Sequence, residues 1–154
     1  MTQNLLNDKV LVQSSTALNT NSSIGDILSC NKQIKSDADP EVLLQITFPG
    51  NAKIVQINVI AHNEEARPTQ IYISNGHVGF DAAKLTKVAA TLNYVKDVAS
   101  FKISSTLLKP NSQFSIFFSE NQDDSEETIF DGIELLGKLS DDLDTRGKNL
   151  KPPC

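Results

Sequence analysis

Apolar and polar residues alternate with a period of two along several segments, a pattern typical of β-strands with one buried face. The clearest case runs through residues 42–48 and continues in 54–59, after the turn-forming triplet Pro49-Gly50-Asn51. The alternation predicts two antiparallel strands joined by that triplet, with one face of the hairpin buried. The positions predicted to face inward are Leu44, Ile46, Phe48, Val55, Ile57 and Val59.

Four further segments carry strand patterns, at 70–74, 101–103, 113–118 and 128–136. A short helix capped by Ser22 or Ser23 is predicted within 23–28, whereas 81–100 contains both helix and strand signals. In the phenylalanine-rich strand predicted at 113–118, only Phe117, which is out of phase with its neighbours, is a candidate for exposure. The inward positions of these strands are Ile71, Ile73, Phe114, Ile116, Phe118, Ile129, Ile133 and Leu135.

Roughly seven or eight short strands with almost no helix predict an all-β fold. The long irregular connections favour a jelly-roll β-sandwich over a simple meander. A chain of 154 residues is long enough for one domain with a sizeable core. We expect an N-terminal arm at 1–9, the sandwich at 10–140 and a flexible tail at 141–154.

The net charge of −5 argues against nucleic acid or an anionic membrane as a partner. No apolar run approaches the roughly 18 residues of a membrane span, and the first residues lack the features of a signal peptide. Cys30 and Cys154 lie far apart and form no disulfide framework. We therefore expect a monomeric protein in the cytoplasm, with the nucleus as a further location.

The acidic residues are unevenly placed, since more than half of all 19 lie between Glu120 and Asp144. Five of these acidic residues crowd one predicted hairpin loop, the one that follows Ser119. Such a run is usually a solvated loop end, and a docking role is the alternative. The loop residues that are candidates for protein binding are Glu120, Asp123, Asp124, Glu126 and Glu127.

The catalytic inventory is small, which predicts a protein that is not an enzyme and needs no cofactor. His62 and His77 lie in predicted loops without a nucleophile motif nearby, and Cys30 has no neighbouring base. Asp37 and Asp39 have the spacing to chelate calcium. Aspartates in turns more often accept hydrogen bonds from the backbone, and we expect this bracing role here.

Two segments of the chain are similar to known sequence signatures. The segment from Lys35 to Phe48 is similar to the signature Ser-Asp-Ala-Asp-Glu-Gln-Leu-Leu, and the segment from Phe114 to Gln122 is similar to the pattern Leu-Thr-Ile-Phe-x-x-x-Asn-Gln. In order and spacing these segments resemble the PITH domain family, the proteasome-interacting domains of thioredoxin-like proteins. The remaining matches to the family lie in Ala52-Lys53-Ile54, Arg67 to Asn75, Phe80, Thr128-Ile129 and Leu135-Leu136-Gly137.

The chain also departs from the family pattern. Ala17-Leu18-Asn19 stands where the family has Cys-Leu-Asn, and Val42 replaces the glutamine before the leucine pair. The Tyr-Val-Lys-Phe-Gln-Asn-Val strand is reduced to a segment around Phe101, and Ser104 to Asn111 form an insertion. These changes affect partner choice if that strand belongs to the docking surface.

The resemblance implies a galactose-binding-like jelly roll in a free-standing member of the family. It also implies a non-enzymatic role in binding the regulatory particle of the 26S proteasome. The main alternative is a small-ligand or carbohydrate-binding module, although with no Trp and only Tyr72 and Tyr94 the chain has few aromatics for stacking on sugars. An enzyme of unknown type is a third reading, which no assembled site supports.

The C-terminus suggests one more hypothesis. Cys154 combines a thiol with the terminal carboxylate behind two stiffening prolines, and both groups are zinc ligands. The particle that the family is known to engage includes a zinc-dependent deubiquitinase. The tail would then reach into a partner groove and place Cys154 near that partner's metal, the alternative being an incidental cysteine at a disordered end.

Overall fold

The computed structural model describes residues 4–85, 88–104, 106 and 108–139, and these form a β-sandwich with very little helix. The strands are β1 (Asn4–Leu5), β2 (Thr16–Leu18), β3 (Ile34–Lys35), β4 (Val42–Ile60), β5 (Gln70–Asn75), β6 (Val88–Thr91), β7 (Tyr94–Val95), β8 (Val98–Lys102), β9 (Asn111–Phe118), β10 (Ile129–Phe130) and β11 (Gly132–Leu139).

The helical segments are α1 (Ile24–Ser29), α2 (Phe80–Ala83) and two 3-10 turns at Asn7–Lys9 and Val12–Ser14. As predicted, α1 begins after a serine cap: Ser23 and Asp26 form a reciprocal capping box. Among the described helices, none has the length and hydropathy to cross a membrane.

Strand β4 is the spine of the fold, because it belongs to both sheets. It runs unbroken through Pro49-Gly50-Asn51, so the predicted hairpin at that triplet is wrong. The first half of β4 lies between β2 and β9, and the second half lies between β8 and β11. The register with β9 shifts between Thr47 and Ala52, which leaves Pro49 outside the regular ladder, where its missing N–H costs little.

The two sheets therefore have the orders β2-β4-β9-β5-β6 and β1-β11-β4-β8-β7, and β3 pairs separately with β10. All pairs are antiparallel, as in a jelly roll. One contiguous apolar cluster joins side chains from both sheets. The predicted all-β jelly-roll sandwich is thus confirmed, with β4 as the strand that the sheets share.

A bulge in β4 shifts the alternation of buried positions. Between Gln56 and Ile54 the partner strand β11 advances by only one residue, so Val55 is the extra residue. Ile54 is therefore buried and Val55 only half-buried, which corrects the prediction for Val55. Gly137 faces the bulge, where an added Cβ would overlap the Lys53 carbonyl.

Two other predictions also fail for tertiary reasons. The last predicted strand is interrupted at Asp131, since β10 pairs with β3 while β11 pairs with β4. Phe117 is fully buried, because α2 covers the outer face of the sheet and forms a second small cluster with it. The Phe80 ring lies 5.9 Å from the Phe117 ring, nearly perpendicular to it.

The first described residues cover the free edge of β11. β1 pairs with Leu136 and Gly137, and the Leu6 N–H donates to the Leu135 carbonyl at 2.7 Å. The Asn7 side chain extends this cover: its amide group donates to the Ile133 carbonyl and its oxygen accepts the Leu135 N–H. A covered edge is protected from pairing with another chain.

Candidate functional site

The five acidic candidates lie together on the loop between β9 and β10, residues 119–128, here called the acidic loop. All five are exposed. Glu120, Asp124 and Glu126 make no side-chain contact among the described residues, whereas Glu127 lies 4.0 Å from the Lys35 ammonium. The loop thus presents a dense, mostly uncompensated negative charge.

Asn121 holds this loop in shape from the inside. It is only 5% exposed. Its amide nitrogen donates to the Ser125 carbonyl at 3.0 Å, to the Glu127 carbonyl at 3.4 Å and to the Thr128 hydroxyl at 3.1 Å. Its oxygen accepts the N–H groups of Asp123 and Ser125. One buried side chain therefore supplies the hydrogen bonds that a regular strand pair would supply.

A second loop, residues 61–69, runs beside the acidic loop and is here called the bridging loop. Its backbone is paired with that of the acidic loop at several points: the Gln122 N–H donates to the Arg67 carbonyl at 2.9 Å, and the Thr69 N–H donates to the Glu120 carbonyl at 3.0 Å. The Gln122 amide also donates to the Glu64 carbonyl. Asp123, although exposed, accepts the Ala66 N–H at 2.7 Å.

A shallow groove of about 350 Å³ lies between the two loops and is here called the acidic groove. Ala66 and Ile129, both largely buried, contribute apolar surface to it. The carboxylates that line it are those of Glu65, Asp123, Glu126 and Glu127. Apolar surface beside carboxylates can hold a long basic side chain, with its methylene stem on the apolar part and its charge at the acids.

The signature turn before β4, residues 36–41, is organised by Asn19. The Asn19 amide donates to the Glu41 carbonyl at 2.6 Å and to the Asp39 carboxylate at 2.8 Å. The bracing role predicted for Asp39 is confirmed, because its carboxylate accepts the Glu41 N–H at 3.0 Å. For Asp37 the prediction is wrong within the described residues: its backbone N–H donates to the Asn19 carbonyl, but its carboxylate makes no contact.

The turn is tied to the acidic loop by Thr128, which is fully buried. The Thr128 hydroxyl donates to the Pro40 carbonyl at 2.7 Å, and its N–H donates to the Ser36 hydroxyl at 2.8 Å. Since Thr128 also receives a bond from Asn121, the two loops share one hydrogen-bond network.

Each of the two histidines has its own hydrogen-bond partners among the described residues. The His62 Nδ1 lies 2.9 Å from an Asp97 carboxylate oxygen, and this hydrogen bond raises the pKa of His62. The His77 Nε2 lies 3.1 Å from both the Thr47 hydroxyl and the Ile46 carbonyl. Within the described residues no group of three His, Cys, Asp or Glu side chains is placed to bind a metal ion.

Cys30 is not an activated thiol. Burial, and secondarily the negative charges of Glu134 and Asp131, raise its pKa to about 11. The sulfur lies 3.3 Å from the Ile133 carbonyl. A thiol with so high a pKa is almost fully protonated near neutral pH, and the thiolate is the nucleophilic form.

The sequence-based prediction located the acids but missed Asn19, Asn121 and Thr128, whose side chains hold the signature turn and the acidic loop in shape. Both asparagines belong to segments that resemble the family patterns, and this was the available signal. Cys154 lies outside the described residues.

Comparison with known proteins gives a family and a fold. The family model described as PITH domain matches residues 1–151. No significant match was found among curated proteins.

Solved structures share the fold at very low identity. The family 32 CBM of Clostridium perfringens NanJ in complex with galactose has a TM-score of 0.59 and 8% identity, over 88% of this chain and 99% of that one. CpGH89CBM32-5 of the same organism, in complex with GalNAc-β-1,3-galactose, has a TM-score of 0.54 and 10% identity, over 82% and 98%. The C-terminal domain of a Bacteroides fragilis chitobiase has a TM-score of 0.53 and 8% identity, over 84% of this chain and 98% of that one.

Proposed function

Because the chain belongs to the PITH domain family, we propose that it is an interaction module that binds the regulatory particle of the 26S proteasome. The observation that carries the proposal is the family match over residues 1–151, nearly the whole chain. A PITH domain suggests protein interaction, and the proteasome is the partner that the family resemblance implies. The proposed locations are accordingly the cytoplasm and the nucleus, where that partner would be met.

The acidic loop is the proposed contact surface. Its carboxylates are exposed, yet its backbone is fixed by the Asn121 bonds and by the bridging loop. A rigid loop loses little conformational entropy on binding, so the charges are already arranged for a partner. Their sign calls for a basic surface on the particle, and the acidic groove has the chemistry to receive a lysine or arginine side chain.

Carbohydrate binding is the second candidate, because the structural neighbours include modules in complex with galactose and GalNAc-containing sugar. The aromatic side chains argue against it. The Tyr94 ring is covered by the Arg67 guanidinium at 4.9 Å, and the Tyr72 ring packs against Phe117 at 5.6 Å. The exposed large apolar side chains of the described residues include no aromatic one, which argues against stacking on a sugar.

The charge proposal is tested by neutralising acids that hold no part of the fold. In Asp124→Asn/Glu126→Gln the loop loses two charges without losing a described hydrogen bond. We expect affinity for purified regulatory particle, measured by biolayer interferometry, to fall on the order of 10-fold, with a weaker dependence on salt than in the wild type.

The matched control is Asp8→Asn/Asp81→Asn, which removes the same charge from exposed positions outside the acidic loop. This control should bind like the wild type. An equal loss of affinity in both variants would mean that binding depends only on the net charge of the protein. The acidic loop would then no longer be the proposed contact surface. Absence of wild-type binding to the particle, together with a hit on a glycan array, would favour the carbohydrate alternative instead.

A further inference from the structure

The β7–β8 hairpin contacts the bridging loop at several points, and one of these contacts is made by a buried arginine. Arg67 is 8% exposed, and its guanidinium donates to the Asp97 carboxylate at 3.4 Å and to the Asn63 carbonyl at 3.2 Å. The same guanidinium stacks over the Tyr94 ring at 4.9 Å, while the Tyr94 hydroxyl donates to the Pro68 carbonyl at 2.9 Å. The side chain is thus held on three sides by groups that belong to two different segments.

The backbone around Arg67 has a separate task. Its carbonyl accepts the Gln122 N–H, and the neighbouring Ala66 uses its N–H and its carbonyl to bind Asp123 and the Ile129 N–H. Ala66 has φ +54°, a left-handed conformation that a residue with a Cβ adopts only when its surroundings impose it. The side chain of Arg67 faces the hairpin, whereas the backbone beside it binds the acidic loop.

We infer that Arg67 is a positioning residue for the acidic loop, acting through the bridging loop and held in place by Asp97 and Tyr94. Its planar guanidinium makes several directed contacts at once, which neither a neutral side chain nor a lysine reproduces. Without it, the left-handed backbone at Ala66 loses the contacts that impose it. The bonds to Gln122, Asp123 and Ile129 then open, and the carboxylates of the acidic loop lose their fixed arrangement. The consequence for partner binding rests on the proposed function.

The test compares Arg67→Met with a matched control, Lys84→Met. Lys84 also makes an ion pair, with Glu41 at 2.7 Å, and also lies over an aromatic ring, that of Phe117 at 6.0 Å. It makes no described contact with the bridging loop. Asp97→Ala is the second variant, for the case that Arg67→Met folds poorly: it removes the carboxylate that holds Arg67 and, with it, the contact to His62. His62→Ala, which loses only the latter contact, is its control and should leave the acidic loop unchanged.

The readout is amide hydrogen exchange of the free full-length protein, residue by residue. We expect Arg67→Met and Asp97→Ala to speed exchange at Gln122 and Ile129 on the order of 10-fold or more, with β9 amides unchanged. Lys84→Met should leave the acidic loop unchanged. Unaltered exchange at both amides in Arg67→Met, or in Asp97→Ala if the first variant unfolds, overturns the inference.

Binding to the regulatory particle is measured on the same variants, and it separates the inference from the proposed function. Faster exchange with weaker binding supports both. Faster exchange with unchanged binding keeps Arg67 as the positioning residue and removes the acidic loop as the contact surface.

Discussion

Two loops of this protein are each built around one asparagine, and they differ in what surrounds it. Asn121 is almost fully buried, and within the described residues its side chain bonds only to its own loop, up to Thr128 at the end of that loop. Asn19 is partly exposed and binds a turn that lies about twenty residues further along the chain. The same amide chemistry therefore supports an exposed acidic surface in one place and connects two distant segments in the other.

The two loops also differ in how their carboxylates are used. The acidic loop gathers five carboxylates, and the signature turn places only Asp37, Asp39 and Glu41 near its asparagine. In the turn, Asp39 and Glu41 are used in hydrogen bonds or an ion pair. In the acidic loop most carboxylates have no partner within the described residues. Unsatisfied charge on a rigid frame suits a binding surface, whereas satisfied polar groups stabilise the fold.

Removing Asn121 should have the largest effect. Asn121→Ala deletes the donors to Ser125, Glu127 and Thr128 and leaves buried groups unpaired, so we expect a loss of about 3 kcal/mol in the free energy of unfolding. Urea denaturation measures it. Asn121→Asp is the informative companion, because it keeps the accepting oxygen but loses the donor. If Asn121→Asp were as stable as the wild type, the donor bonds would not be what holds the loop.

Thr128 joins the two loops, and its hydroxyl can be removed at nearly constant volume. Thr128→Val should destabilise by about 2 kcal/mol, because the Pro40 carbonyl and the Asn121 amide each lose a buried partner. The coupling is measured by a double-mutant cycle with Asn121→Ala. Additive effects in the cycle would mean that the hydrogen bond between Asn121 and Thr128 contributes no coupling between the two side chains.

Removing the Asn19 side chain should cost less stability than removing that of Asn121 or the Thr128 hydroxyl. Asn19 is partly exposed, so water can replace part of the hydrogen bonding that is lost. Asn19→Ala is expected to lower stability by about 1–2 kcal/mol, as the residue also has φ +65°. Asn19→Gly loses the same side chain but relieves the backbone, so it should be the milder change. The opposite order of melting temperatures would show that backbone conformation is not part of the cost.

The smallest expected loss of stability in the turn comes from substituting its aspartates, and the two aspartates should differ from each other. Asp39→Ala removes the bond to the Glu41 N–H and should cost about 1 kcal/mol, while Asp37→Ala should be close to neutral. Differential scanning calorimetry with and without EDTA checks both. Destabilisation of the wild type by EDTA alone would point to a bound metal and would replace the bracing account.

The pH dependence at the hairpin is smaller still. The hydrogen bond to Asp97 raises the pKa of the exposed His62 above its ordinary value of 6.5. The stabilising contribution of this pair is therefore fully present below pH 6.5. The contribution is lost as pH rises through the raised pKa. An NMR titration should find a lower His62 pKa in Asp97→Ala than in the wild type, and equal values would show that the contact is not formed in solution.

The amino-acid sequence by itself determined the location of the longer strands and most of the core. Period-two alternation depends only on which face of a strand is buried, so the inward positions of β5 and β9 could be predicted without knowing their partners. The same holds for the crowding of acids after Ser119, since neighbours in one short loop are necessarily close in space.

Only the tertiary structure decided the pairing and what covers each face. Pro49-Gly50-Asn51 has turn chemistry, but β4 continues because its two halves find different partners, β9 and β11. Phe117 is buried because α2, from a distant segment, lies over it. Asn19 and Thr128 acquire their roles from hydrogen bonds that join residues far apart along the chain. Local patterns cannot encode such contacts, because their free energy depends on which segments the whole fold brings together.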